Sequence, residues 1–185
     1  MPDTSNFRNG FTMRIEGALY SIAEFQHVKP GKGGAFVRTK LKNVQTGAVI
    51  DRTFRSGDKV DEVRLEKREM QFLYSDGDIY HLMDQETYEQ LDLPAEVIGD
   101  VAGLMKESET VFLLMAESQP ISAELPNFVE LAIAHTDPGL KGDTATGAVK
   151  PATLETGAVV MVPLFVNHDD VLKIDTRTGE YVERI

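Results

Sequence analysis

The chain contains no cysteine, which removes disulfides and thiolate metal ligands and fits a reducing compartment. No apolar run reaches the roughly 18–20 residues that a membrane-spanning helix requires. The opening "MPDTSNFRNG" lacks the basic and then apolar regions of a signal peptide. A cytoplasmic protein with no membrane partner is the expectation. The familiar catalytic signatures are missing too. His27, His81, His135 and His168 are scattered, with no H-E-x-x-H pattern, so no metal site is expected. There is no G-x-S-x-G elbow around a nucleophilic serine. The segment "GLKGDTATG", residues 139–147, has glycines and a lysine but not the spacing of a nucleotide P-loop. Carboxylates crowd stretches such as "DVAGLMKESE", where a solvated face explains them. The reading is a protein that is not an enzyme and carries no cofactor.

What is present is an uneven charge. The net charge is −11 over 185 residues. Residues 1–60 nevertheless hold ten Lys and Arg against five Asp and Glu, residues 61–128 four against sixteen, and residues 129–185 five against nine. This asymmetry suits a protein whose first third alone meets a polyanion. A soluble acidic protein with a mildly basic end would carry the same charges.

Short strands account for most of the pattern. "TMRIEGALYSIAEFQHV" clusters apolar residues around a turn at Glu16-Gly17. "GAFVRTKLKNV" alternates, with Phe36, Arg38, Lys40 and Lys42 on one face and Val37, Thr39, Leu41 and Asn43 on the other. "EMQFLYSDGDIYHLMD" reads as a hairpin turning at Asp76-Gly77. "DLPAEVIGDVAGLM" puts Pro94 where a first helical turn tolerates it, with Val97, Val101 and Leu104 at helical spacing, so a short helix is predicted. The remainder reads as further strands between Gly, Asp and Pro punctuation. About five strands per sixty-odd residues predicts an all-β chain of small barrels. The boundaries, placed by pattern and charge, give segments 1–63, 64–128 and 129–185.

One stretch stands out. In "HVKPGKGGAF", Pro30-Gly31 has type II turn chemistry. Gly33 and Gly34 remove side chains on the other side of Lys32, so the backbone can approach a partner closely. Flanked by strands, Lys29, Pro30, Gly31, Lys32, Gly33 and Gly34 form the tip of a long hairpin that projects Lys32 outward. An idle solvent-exposed turn is the plainer alternative.

"KPGKGGAFVRTKLKN" is similar to the modification loop of the bacterial elongation factor P family. That family is related to the archaeal and eukaryotic initiation factor whose corresponding lysine becomes hypusine. A distant stretch also resembles the family: Lys150, Ala152, Gly157, Val160 and Val162-Pro163, with Val166 next, follow its C-terminal signature. Asp169 stands where that signature has Gly, a substitution that reads as local turn drift. "ELPNFVEL" and "GDTATG" extend the likeness along essentially the whole chain.

The resemblance implies three β-barrel domains in an elongated L, an N-terminal KOW-like (SH3-like) barrel followed by two OB-folds. It implies a monomer bound to the ribosome between the peptidyl-tRNA and exit sites, relieving stalls at consecutive prolines. Lys32 matches the lysine directed at the CCA end of the peptidyl-tRNA, a position commonly modified by a partner enzyme. Gly142, Asp143 and Thr144 match the stretch near the exit-site codon of the messenger RNA. Arg38, Lys40 and Lys42 are candidates to face RNA. Tyr181 and Arg184 are candidates for stacking on and pairing with tRNA; a half-core tyrosine and a solvated arginine are the structural alternative. A generic OB-fold module for single-stranded RNA is the competing reading, and the acidity of the two later segments argues against it.

Overall fold

A computed structural model describes residues 1–139 and 147–185. Its described residues form three five-stranded sheets with little helix, so the chain is all-β. Two compact units partition it. One comprises Met1–Lys67 with Leu114–Ser122, the other Arg68–Leu113 with Ala123–Ile185.

The first sheet contains β1 (Thr12–Ile15), β2 (Ala18–Val28), β3 (Phe36–Asn43), β4 (Val49–Arg55) and β5 (Asp61–Glu62), in the order β4-β3-β2-β1-β5. Period-two alternation sets its inner face. Val37, Thr39 and Leu41 are buried while Arg38, Lys40 and Lys42 are exposed, as the sequence pattern predicts. The buried Thr39 hydroxyl donates to the Arg52 carbonyl at 2.8 Å, which avoids leaving a polar group unpaired. Phe7, Phe11, Met13, Ile22, Val37, Leu41, Phe54 and Val60 make the core. Each large side chain buried there contributes about 1.5–3 kcal/mol. The turn between β1 and β2 does fall at Glu16 and Gly17, both at positive φ.

The second sheet contains β6 (Leu65–Asp76), β7 (Ile79–Asp84), β8 (Gln90–Pro94), β9 (Thr110–Ala116) and β10 (Gln119–Glu124), in the order β10-β9-β6-β7-β8. The β6–β7 hairpin is present, but its turn lies one residue beyond the expected Asp76-Gly77. Asp76 pairs with Ile79 as the last rung, and Gly77, at φ 61°, leads the turn. The predicted helix is also shorter than its spacing implies. An α-helical turn, Ala95–Ile98, gives way at Gly99 (φ 64°) to a 3-10 stretch, Gly99–Leu104. Pro94 precedes the first turn rather than sitting in it, and Ile98 takes the buried position. A left-handed glycine cannot continue an α-helix, so the spacing of Val97, Val101 and Leu104 is not realised as one helical face.

The third sheet contains β11 (Phe128–Thr136), β12 (Val149–Leu154), β13 (Val159–Pro163), β14 (Val171–Asp175) and β15 (Glu180–Arg184), in the order β13-β12-β11-β14-β15. Its core gathers Leu131, Ile133, Leu154, Val162, Leu172 and Ile174 among others, with Leu104 packed against it. Lys106 reaches Glu155 at 3.1 Å, and the same carboxylate accepts the Ala132 N–H at 2.9 Å. These contacts tie the end of the 3-10 stretch to the third sheet within one unit.

Candidate functional site

β2 and β3 pair from Tyr20↔Asn43 up to Val28↔Phe36, and β4 pairs with β3 up to Phe36↔Arg55. All three strands therefore end at one level. The Ser56 N–H donates to the Ala35 carbonyl at 2.9 Å and closes that end. Residues 29–34 rise beyond it, all exposed. Lys29, Pro30, Gly31, Lys32, Gly33 and Gly34 thus form a hairpin tip with Lys32 in its middle.

The turn chemistry differs from the expected type II geometry at Pro30-Gly31. That turn needs a left-handed Gly31, whereas Gly33 carries the positive φ, at 110°. The connection from Val28 to Phe36 is longer than a tight turn demands, and its bend lies over Gly31–Gly33 instead. A Cβ built on Gly31 or Gly34 would meet nothing within 4 Å, and neither residue has a positive φ. Among the described residues nothing requires glycine at those two positions, and the backbone there is left bare.

Below the tip, the face bearing Phe36, Arg38, Lys40 and Lys42 is less uniformly cationic than the strand alone indicates. Lys40 lies between Glu24 on β2 and Asp51 on β4. Its ammonium contacts Glu24 at 3.1 Å. The hydrogen bond and charge of Glu24, with a smaller contribution from Asp51, hold its pKa above the ordinary lysine value. Arg38 has uncharged neighbours, Gln26 and Thr53, and its guanidinium lies 5.4 Å from the Phe36 ring centroid. Lys42 is exposed opposite Ser21 and Val49. Arg55, which the sequence reading does not single out, is exposed directly across from Phe36. Arg38, Phe36 and Arg55 therefore sit together at the tip end of the face. Only the register of β4 on β3 reveals Arg55, although the turn at residues 43–48 foreshadows that register.

The second unit holds the remaining candidates. Tyr181 packs half-buried against the third core. Arg184 contacts Asp170 at 3.3 Å and lies 5.4 Å from the Phe165 ring centroid. Gly142, Asp143 and Thr144 lie outside the described residues. Lys150 is 6 % exposed and donates from Nζ to the Asp137 carbonyl at 2.6 Å. A Cβ on Gly139 would come within 3.0 Å of the Leu164 carbonyl oxygen and 3.1 Å of its Cβ, so glycine there permits a close backbone approach. Asp169, the residue in the signature's glycine place, has φ 65°. It occupies the left-handed region that glycine adopts most easily, and its N–H reaches the Ile133 carbonyl at 3.2 Å.

Comparison with known proteins agrees along the full length. Residues 3–60 match the model of the elongation factor P KOW-like domain, residues 65–123 its OB domain, and residues 129–184 its C-terminal domain. Proteins called elongation factor P from Pelotomaculum thermopropionicum and Moorella thermoacetica are each 56 % identical to this chain, and the matches cover all of both chains. The relative from Acetivibrio thermocellus is 54 % identical, again over the whole of each chain. A solved structure described as eukaryotic translation initiation factor 5A from Methanococcus jannaschii superposes with a TM-score of 0.52 at 27 % identity, covering 64 % of this chain and 88 % of that one. An initiation factor 5A family protein from Naegleria fowleri shares the fold over 67 % of this chain and 96 % of its own, with a TM-score of 0.54 at 17 % identity.

Proposed function

The chain belongs to the elongation factor P family of translation factors, and on that footing we propose that it binds the ribosome between the peptidyl-tRNA and exit sites and uses Lys32 to promote peptide-bond formation at consecutive prolines. The observation that carries this reading is the exposed tip at residues 29–34, where, among the described residues, no atom lies within 4 Å of a Cβ built on Gly31 or Gly34. Three to four residues on each limb reach roughly 10–12 Å beyond the last strand pair. That is enough to enter a narrow RNA cleft while the barrel stays outside.

Consecutive prolines react slowly because the donor is conformationally awkward and the nucleophile poor. A tip laid beside the CCA end of the peptidyl-tRNA restricts its motion before the reaction rather than during it. A tenfold acceleration needs only about 1.4 kcal/mol, small against the roughly 7–11 kcal/mol that positioning can supply. Lys32 brings a cation to the phosphate and ribose surface. A modifying enzyme that lengthened this side chain would add reach and hydrogen-bond donors. Arg38 and Arg55 extend the positive surface down one face of the hairpin. The chain performs no bond chemistry; the ribosome does. Gly142, Asp143 and Thr144 are assigned to the exit-site messenger, and Tyr181 with Arg184 to tRNA. In the same unit, Lys173 and Arg177 flank Phe128 at 5.1 and 5.6 Å, each also paired with a carboxylate, Glu183 at 2.8 Å and Asp175 at 2.7 Å.

Translation of a triple-proline reporter on purified ribosomes tests the proposal. Lys32→Ala is expected to fold normally, co-sediment with ribosomes and lose most of the rescue. Wild-type rescue by that variant would remove Lys32 from the mechanism. Binding to free single-stranded RNA in preference to ribosomes would replace it with a generic RNA-binding module.

A further inference from the structure

The tip of the β9–β10 hairpin packs with the first barrel, although it lies within residues 65–123, the stretch that matches the OB domain. Its two turn residues, Glu117 and Ser118, both have positive φ, at 50° and 65°. Such two-residue hairpin turns favour Asn-Gly because other side chains are strained there. Neither residue is buried, so packing does not account for the choice. Glu117 has a specific contact instead: its Oε2 lies 2.7 Å from a guanidinium nitrogen of Arg14 on β1. Arg14 also approaches Asp61 on β5 at 3.6 Å, and the Glu117 hydrogen bond and charge hold its pKa above the ordinary arginine value. Beside this pair, Leu19, Val63 and Ala116 are buried together, with Val44, Leu65 and Ile121 packed against them. This small second core joins the start of β2 to the hairpin.

β2 then runs as one strand, with a bulge between Ile22 and Glu24, from Leu19, which pairs with Arg14, to Val28 at the base of the Lys32 tip. Nine residue steps span about 30 Å. A rotation of roughly 10° at the Leu19 end would carry the far end about 5 Å along an arc, given that strand length. Positioning is unforgiving at that scale, since a displacement of about 1 Å can cost on the order of a hundredfold in rate.

We propose that the Glu117-Ser118 turn is a clamp that sets the angle of the Lys32-bearing barrel on the hairpin, with Arg14 and Glu117 as positioning residues for Lys32. The proposal rests on the functional reading above, and it assigns to the OB-domain hairpin a part in aiming the lysine. Glu117 gives it an unusual sign. Removing an acid would strengthen a direct contact with RNA, whereas removing one arm of a clamp weakens rescue.

The absence of cysteine makes the test clean. Arg14→Ala and Glu117→Ala are each expected to slow triple-proline rescue about threefold to tenfold. The double variant should be no slower than the worse single, because both changes break one contact. Their thermal midpoints should stay within a degree or two of wild type, as for exposed ion pairs. The R14C/E117C variant should show the same slowing, and joining the two thiols with a short bis-maleimide should restore the rate to within about twofold of wild type. Wild-type rates in both single variants, faster rescue by Glu117→Ala, or failure of the tether to restore the rate would each overturn the clamp. Lys32→Ala measured alongside separates the two ideas. Loss of rescue there with wild-type rates in the clamp variants overturns the clamp alone, whereas wild-type rescue by Lys32→Ala overturns both.

Discussion

Replacing Lys150 by Met isolates one buried charge. The lysine is 6 % exposed and spends its ammonium on the Asp137 carbonyl at 2.6 Å. Met fills nearly the same volume along the stem, so the cavity contribution is small. What is lost is a hydrogen bond to a charged group, about 1.5–3 kcal/mol. Part of that loss is offset because an ammonium no longer has to be desolvated. The net expectation is a destabilisation of about 1–2 kcal/mol. With a urea dependence of roughly 2 kcal/mol per molar, the unfolding midpoint should fall by about 0.5–1 M. Equilibrium urea unfolding followed by circular dichroism reads this directly, and hydrogen exchange should show loosening around Ala152 and Ile133 first. An unchanged or higher midpoint would mean that desolvation cancels the bond, and that the lysine is not held there for stability.

Arg38→Ala should weaken ribosome association more than Lys40→Ala does, and should lower the slope of log affinity against log salt by nearly one, because Lys40 is already paired with Glu24; equal effects would refute this ranking. At the signature's departure point, Asp169→Val should cost about 1–2 kcal/mol in urea unfolding because a β-branched residue would have to hold φ 65°, while Asp169→Gly should change the midpoint little. Stability should also decline in acid. Backbone N–H groups of Thr87 and Glu86 lower the Asp84 pKa, that of Asn167 lowers Asp170, and the Arg177 side chain lowers Asp175. A folded-state pKa below the unfolded value of 3.8 means that this stabilisation is complete above pH 3.8 and drains away as pH falls through the folded value. Unfolding midpoints should therefore be flat near neutrality and drop below about pH 4, and Asp170→Asn should shallow that drop; an equally steep acid limb in the variant would count against the assignment.

The outline of the site was legible in the chain because alternation is local. Two-residue periodicity in "AFVRTKLKN" separates Val37, Thr39 and Leu41 from Arg38, Lys40 and Lys42, and the structure keeps that division. The glycines around Lys32 announce an exposed connection without specifying its bend. The left-handed residue is Gly33, because backbone torsions in a seven-residue connection follow from where the strands below it stop pairing. The short helix predicted after Pro94 stops after one turn for a related reason: spacing counts residues, and Gly99 alters the torsion between them.

Length, alternation and punctuation were enough for the sequence by itself to determine an all-β chain with a lysine at a hairpin tip. Only the tertiary structure decided which cations are open. Lys40 is met by Glu24 and Asp51 from two other strands, Arg55 joins Arg38 across the sheet, and Arg14 finds Glu117 more than a hundred residues away. Side-chain periodicity is a property of one strand, whereas charge pairing depends on registers between strands that only the closed fold supplies.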